Sequence, residues 1–170
     1  ARFVTFPAKT NLNEFKSTIL AQLKLPIIIK QLDGHASIGV YIVEDAKKLE
    51  QVAEELRYQP GAYIAEEFVP GRVLRIDGHI IKGNIEAIYY SYYAPSCYEF
   101  YKYGQPQITY SDQSKDIGSI TKFTAKILEA FEYSDGMFHL EAIEHKETKE
   151  LYFLEIAVRP GADSDFLMKL

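Results

Sequence analysis

Two carboxylates near the end of the chain carry the strongest suggestion of chemistry. Glu141 lies in the apolar run 136–144 and Glu155 in the run 150–161, with a charged break at 146–149 between them. Each arm has the length and composition of a strand, and the break reads as the turn of an antiparallel hairpin. A turn centred on Thr148 pairs Phe138 with Val158, Leu140 with Ile156 and Ala142 with Leu154 on one apolar face. The other face then pairs His139 with Ala157, Glu141 with Glu155 and Ile143 with Phe153. Like charges set directly opposite in a sheet repel, so a compensating cation is expected. Mg2+ suits the position, because it takes oxygen ligands and is held by one or two protein carboxylates together with phosphate oxygens. Arg159, four residues past Glu155, falls on the same face of a regular strand, where its planar fork suits a phosphate or carboxylate. The competing reading is a solvated face for both glutamates, or a register shifted by one.

Lys30 is the first charge in the β-branched run 27–32; it either snorkels from a strand end or reaches for an anion. The loop that follows is Asp33-Gly34-His35-Ala36-Ser37-Ile38-Gly39-Val40. Small residues let successive backbone N–H groups form an anion-binding concavity. It is not a Walker loop, since Val40 and Tyr41 follow Gly39, and not a kinase loop, since Lys30 precedes the glycines. Glu66 and Glu67 are adjacent in the strand-like run 62–69, so they fall on opposite faces and at least one needs a partner. That partner is either a salt bridge to a neighbouring strand or a ligand at a crossing between two lobes.

The elements that must position these residues follow from the patterning. Positions 3–6 form a short edge strand closed by Pro7. Asn11 or Asn13 caps a helix to about Lys24, with Phe15, Ile19, Leu20 and Leu23 on its stripe. The run 27–32 reads as a strand buried on both faces, and 41–43 as its return strand. A helix over 45–57 presents Ala46, Leu49, Val52, Ala53 and Leu56. Residues 73–77, a turn at Asp77-Gly78 and residues 79–82 make a second hairpin, followed by a strand over 85–92. Eight tyrosines stand between 89 and 110, read as amphipathic strand and loop packing in preference to a substrate-facing lid. Ser114 or Asp116 opens a helix to about Tyr133, with Ile117, Ile120, Thr124, Ile127 and Phe131 buried.

Composition removes several classes. At 170 residues the chain holds one domain with a real core or two small lobes. No run approaches the roughly 18 apolar residues that span a bilayer, so no membrane partner is expected. The formal charge of -5 without a basic block argues against nucleic acid. The single Cys97 excludes an internal disulfide and a thiolate cage and points to a reducing, cytoplasmic setting. The four histidines lie too far apart for a helical zinc pair, and neither a cysteine–histidine spacing nor a GxSxG elbow supports a hydrolase. The first residue is Ala1, and Ser164 and Asp165 offer a helix start just before the last residue, so a fragment of a longer protein is expected.

Five blocks stand in a telling order: Leu25-Pro26-Ile27-Ile28-Ile29-Lys30; then Asp33 to Val40; then Tyr63-Ile64-Ala65-Glu66-Glu67-Phe68-Val69-Pro70-Gly71. After Ile76-Asp77-Gly78 come Gly136-Met137-Phe138-His139-Leu140-Glu141 and Phe153-Leu154-Glu155-Ile156-Ala157-Val158-Arg159-Pro160-Gly161. In this order they resemble the ATP-grasp superfamily, most closely its carboxylate–amine ligases, over nearly the whole chain. The resemblance implies an α+β fold of two lobes with the nucleotide between them. The smaller lobe, 1–68, would carry the phosphate loop and adenine crossover, and the larger, 69–170, the metal site. It implies Lys30 on the α and β phosphates and Gly34, His35, Ala36, Ser37, Ile38 and Gly39 over the β and γ phosphates. Glu66, Glu67, Phe68 and Val69 would hold adenine, and Glu141 and Glu155 would ligate Mg2+, with Mn2+ as the alternative ion. Arg159 would face the γ-phosphate or the acyl phosphate made from it, which makes Arg159 and Lys30 the catalytic pair.

The implied reaction passes a phosphoryl group from ATP to a carboxylate, after which an amine displaces phosphate to give an amide. The implied partners are ATP, a small carboxylate, a small amine, an N-terminal domain of the same protein and a second copy in a homodimer. Two residues depart from the family pattern, beside the N-terminal domain, with its own ATP-contacting lysine, that the resemblance places ahead of this unit. Val73 replaces a common glutamate, and Ala157 replaces a common asparagine two residues past the second metal glutamate. They open a second expectation, a nucleotide-binding regulatory or assembly module without turnover.

Overall fold

The computed structural model describes residues 1–161 apart from 9, 35, 36, 58, 60 and 112–114. Its elements are β1 (Phe3–Phe6), α1 (Leu12–Gln22), β2 (Ile27–Gln31), β3 (Tyr41–Val43), α2 (Ala46–Leu56), β4 (Tyr63–Glu67) and β5 (Gly71–Ile81). They continue with β6 (Asn84–Ala94), α3 (Cys97–Tyr103), β7 (Ile108–Tyr110), α4 (Ile117–Ala130), β8 (Gly136–His145) and β9 (Leu151–Ala157). Two compact units result: Ala1–Val69 with Cys97–Gln105, and Pro70–Ser96 with the described residues from Pro106 onward. Residues 97–105, which the sequence reading assigned to the larger lobe, therefore pack with the first unit. Among the described residues no helix is long and apolar enough to cross a membrane.

The first unit is an antiparallel sheet in the order β1-β4-β2-β3. Ile27 and Ile29 of β2 are buried while Ile28 and Lys30 are half-buried, so β2 alternates, and the expected burial on both faces does not hold. Its buried side meets Phe15, Ile19 and Leu23 from the region of α1 and Leu49, Val52, Ala53 and Leu56 of α2. Each helix begins on a capping side chain: Asn11 accepts from the Asn13 amide and Asp45 from the Lys48 amide, satisfying N–H groups the helix itself cannot. Leu20, expected on the α1 stripe, is exposed instead. The buried stripe runs through Phe15, Ile19 and Leu23 at intervals of four, and Leu20 lies about 100° round the helix from Ile19, off that stripe.

The second unit is an antiparallel sheet in the order β7-β6-β5-β8-β9. Its even-numbered face carries Leu74, Ile76, Tyr90, Tyr92, Phe138, Leu140 and Ala142, which join Ile120 and Leu128 of α4 in one core. α4 starts on Asp116, whose carboxylate takes the Gly118 and Ser119 amides. The buried stripe is Ile120, Thr124 and Leu128; Ile117 and Phe131, at the two ends of the expected stripe, are exposed. Ser114, the other expected helix start, lies outside the described residues.

The expected turn at Asp77-Gly78 does not exist. β5 runs unbroken from Gly71 to Ile81, and the chain reverses at Lys82 and Gly83, both at positive φ. The Lys82 amide is held by Asp135 Oδ1 at 2.9 Å. The eight-tyrosine region is likewise only partly strand: Tyr90 and Tyr92 are core residues of β6, whereas α3 buries none of its side chains.

At one end of the even face, buried Glu144 accepts from Tyr92 Oη at 2.6 Å, Lys115 Nζ at 2.9 Å and Arg72 Nη2 at 3.1 Å. Burial pushes its pKa up, but the hydrogen bonds from Tyr92, Lys115 and Arg72 outweigh this and hold it below the usual carboxylate range. A depressed folded value means stability present above the ordinary 4.5 and lost as pH falls through the folded value. Glu144→Gln is therefore expected to cost about 2 kcal/mol at pH 7, in the range of charge-assisted hydrogen bonds. Urea unfolding at falling pH checks it: the gap between variant and wild type should narrow as acid protonates the wild-type carboxyl.

Candidate functional site

The odd-numbered face of the second sheet carries a row of ionisable side chains. β5 and β8 pair Arg75 with Glu141 and Asp77 with His139, and β8 and β9 pair Glu141 with Glu155 and His139 with Ala157. Strand alternation thus sends 75, 77, 139, 141, 155 and 157 to one side while Leu74, Ile76, Phe138 and Leu140 fill the core on the other. Arg75, Asp77, His139 and Glu141 are all buried, so each charge needs a partner. Arg75 Nε donates to Asp77 Oδ2, Asp77 Oδ1 lies 2.8 Å from His139 Nδ1, and His139 Nε2 lies 3.5 Å from Glu141 Oε1.

The expected opposition of Glu141 and Glu155 is present, together with Leu140/Ile156 and His139/Ala157. Immediately beyond it the register shifts, and the pairs are Ala142/Phe153, Ile143/Tyr152 and Glu144/Leu151 in place of the expected Ala142/Leu154 and Ile143/Phe153. Leu154 is the additional residue, a bulge beside the carboxylate pair. The expected Phe138/Val158 pair is also absent, because β9 ends at Ala157 and Val158 is exposed. Arg159 consequently does not lie on a regular strand face. It follows the strand in an irregular segment, exposed, with Nη1 donating to the Pro160 carbonyl at 2.9 Å.

Part of the compensation for the facing carboxylates comes from the protein. Burial pushes the His139 pKa down, but hydrogen bonds to Asp77 and Glu141 outweigh this and raise it to about 9. Asp77 moves the other way: burial raises it, and His139 and Arg75 bring it net below the usual range. His139 is thus an imidazolium at neutral pH. Its folded value lies above the ordinary 6.5, so its contribution to stability is full below that pH and lost as pH rises through about 9. An NMR titration of the His139 ring should show a midpoint near pH 9, falling toward the ordinary value in Asp77→Asn.

For a cation, the donor set is two carboxylates, one buried and one exposed. Among the described residues no group of three or more His, Cys, Asp or Glu side chains is arranged to hold a metal. An ion here would complete its shell with water or ligand oxygens. Oxygen-only donors with vacancies left for phosphate fit Mg2+ or Mn2+ and not a closed zinc site.

In the first unit, Lys30 of β2 and Glu66 of β4 are ion-paired at 2.6 Å, each side chain about one-fifth exposed. Lys30 therefore does not simply snorkel into water. Glu67, on the opposite face, binds Arg2 through Nη2 at 2.6 Å and Nε at 3.0 Å, and its pKa is lowered by that hydrogen bond. The Glu67 amide donates to the Arg2 carbonyl and the Phe68 amide to the Pro26 carbonyl. Of the loop after β2, Ser37 and Gly39 both take positive φ, Ile38 is exposed, and Gly34 donates to the Gln31 carbonyl. His35 and Ala36 lie outside the described residues. The sequence does not mark Arg75, Asp77 or His139 as site residues: Asp77 is expected in a turn and His139 only as the strand partner of Ala157, and the available signal was charge at alternate positions 75 and 77 inside an apolar run.

A family model described as D-ala D-ala ligase C-terminus matches residues 2–165. Among solved structures, VanG D-Ala:D-Ser ligase from Enterococcus faecalis aligns with a TM-score of 0.76 at 20% identity, over 96% of this chain and 48% of that one. N5-carboxyaminoimidazole synthetase from Staphylococcus aureus, complexed with ADP, aligns with a TM-score of 0.71 at 18% identity, over 98% and 42%. L-amino acid ligase from Bacillus licheniformis aligns with a TM-score of 0.69 at 21% identity, over 96% and 37%. The chain thus spans less than half the length of each of these three. No curated protein sequence matches it. With the family model covering nearly all of its length, and two antiparallel sheets and their helices superposing on these ligases, the chain belongs to the D-ala D-ala ligase C-terminus family and has the ATP-grasp fold of carboxylate–amine ligases.

Proposed function

We propose that this chain is the nucleotide-binding and phosphoryl-transfer part of an ADP-forming carboxylate–amine ligase. The observation that carries the reading is the register that sets Glu141 opposite Glu155 on the polar face of the second sheet, in a chain of this family. Glu141 and Glu155 would hold Mg2+, or Mn2+ in its place, which would supply charge neutralisation for the nucleotide phosphates. Lys30, kept oriented by Glu66, contacts the α and β phosphates. The 34–39 loop covers the β and γ phosphates, and Glu66, Glu67, Phe68 and Val69 border adenine, with the smaller lobe taken as 1–68 and the larger as 69–170. The Glu67 and Phe68 amides already have protein partners, so their share is carbonyl and side-chain contact. Arg159 stabilises charge on the transferring phosphoryl group, work that is mostly positioning and electrostatics.

The phosphoryl group passes to a substrate carboxylate, leaving ADP; an amine then attacks the acyl carbon and phosphate departs. The ADP bound in the Staphylococcus aureus relative supports the nucleotide class. The further reading is a cytoplasmic protein whose N-terminal domain completes the site and holds the acceptor, acting as a homodimer on small carboxylates and amines. One observation favours a second reading, a binding module without turnover. Ala157 stands directly across from His139, where a polar residue is common in the resembling ligases.

Titrating the full-length protein with MgATP, then measuring ADP release with paired panels of carboxylates and amines, tests both. Micromolar binding with ADP release for at least one pair is the expected result. Binding with no productive pair in a broad panel favours the second reading, and no MgATP binding at all removes both.

A further inference from the structure

Asp77 is where three parts of the second unit meet. Its carboxylate takes Arg75 on one oxygen, and on the other it meets His139 Nδ1 at 2.8 Å and the Gly161 amide at 3.0 Å. The residue is 1% exposed, and Gly161 is buried against it from 84 positions away. Past Ala157 the β8–β9 ladder ends, so no strand pairing holds residues 158–161. The Gly161–Asp77 bond brings that segment back to the sheet. The approach is close enough to require glycine: a Cβ at 161 would stand 2.6 Å from Arg75 Nη2, 2.6 Å from Asp77 Oδ1 and 2.7 Å from His139 Nδ1. Arg159 is separated from this anchor only by Pro160, whose ring fixes φ and shortens the range of paths the backbone can take.

We propose that Asp77 is a positioning residue: by clamping the Gly161 amide it fixes where Arg159 can reach, and through His139 it orients Glu141. The inference rests on the reading of Arg159 as the group that faces the γ-phosphate. The arrangement joins β5, β8 and the segment after β9 at one buried carboxylate. A charged acceptor there holds all three, because a carboxylate offers about four lone-pair sites and three donors converge on it. Asp77→Asn keeps one acceptor oxygen but presents an NH2 group either to Arg75 or to His139 and Gly161 together, so at least one of the three bonds must fail. Gly161→Ala attacks the same contact from the other side and leaves Asp77 intact.

The test uses both variants and their double in the full-length protein, with amide hydrogen exchange and with MgATP and MgADP titrations. Each single variant should speed exchange across 158–161 at least tenfold while β5 and β8 amides away from 77 and 139 stay protected. MgATP affinity should fall about tenfold, the scale of one charge-assisted hydrogen bond, with MgADP nearly unchanged, and the double variant should fall little further. Unchanged exchange at 158–161 in Gly161→Ala overturns the clamp. Faster exchange with parallel losses for MgATP and MgADP, or with neither affected, overturns the positioning role and leaves Asp77 structural. Wild-type protein that binds neither nucleotide removes the nucleotide reading alone, since the exchange arm still reports on the clamp.

Discussion

Glu155→Gln is expected to weaken MgATP binding on the order of 100-fold, since even outer-shell partners of metal ligands cost about 10–100-fold when removed. Metal-free ATP should bind the variant and the wild type alike. The two glutamates are not equivalent probes. Glu141 is buried and lies 3.5 Å from the His139 ring, so its replacement disturbs the charge balance of Arg75, Asp77 and His139 as well as any ion. Glu155 sits on the edge strand and is exposed, so neutralising it should change stability by no more than about 1 kcal/mol. Calorimetric titration with ATP in the presence of Mg2+ and then of EDTA, beside a thermal melt, separates the effects. Equal losses with and without metal would make Glu155 a structural carboxylate, and unchanged affinity in both would remove it from the site.

The legible part of this site was the part written in two-residue alternation. Phe138, Leu140 and Ile156 had to share a face, and with the turn placed at Thr148 that requirement set Glu141 against Glu155. The bulge was illegible because Leu151, Tyr152, Phe153 and Leu154 are all apolar, so either register supplies the sheet with comparable side chains. Arg159 was misplaced for a related reason: alternation extrapolates a strand indefinitely and cannot mark where pairing stops. α3 was invisible as a helix because it buries no side chain and so carries no stripe. The pairing of Lys30 with Glu66 depends on two strands meeting from distant parts of the sequence, and local composition cannot tell that contact from snorkelling.

The more instructive failure is Asp77. An Asp-Gly pair between apolar runs is a strong hairpin signal, and it was read as a turn. Tertiary packing overrides it. The Phe138 ring occupies the space a side chain at 78 would need, which is a reason for a glycine inside a strand that has nothing to do with turning. Once the turn is withdrawn, Asp77 becomes a buried strand residue with an obligatory set of partners, and the polar face gains Arg75 and His139 with it.

Gly78→Ala should therefore be among the most damaging single-methyl additions in the chain, costing about 3 kcal/mol by overpacking. For a chain of 170 residues that corresponds to a fall in Tm of roughly 10 °C. The added Cβ would lie 2.3 Å from Phe138 Cζ and 2.6 Å from the Ala87 carbonyl oxygen. The first is a fully buried ring and the second is backbone of the neighbouring strand, so neither can give way without moving β8 or β6. Phe138→Leu removes the nearer obstacle. If the ring is the cause, Phe138→Leu should cost about 1 kcal/mol less in the Gly78→Ala background than in wild type, the size of coupling expected between touching residues. Costs that simply add would place the strain at Ala87 instead. Because residue 78 follows Asp77 on the same strand, a shift of β5 that relieves the clash also displaces the carboxylate that holds Gly161 and His139. Faster amide exchange at 158–161 should accompany the loss of stability, so a glycine on the apolar side of the sheet helps fix the geometry of the polar side.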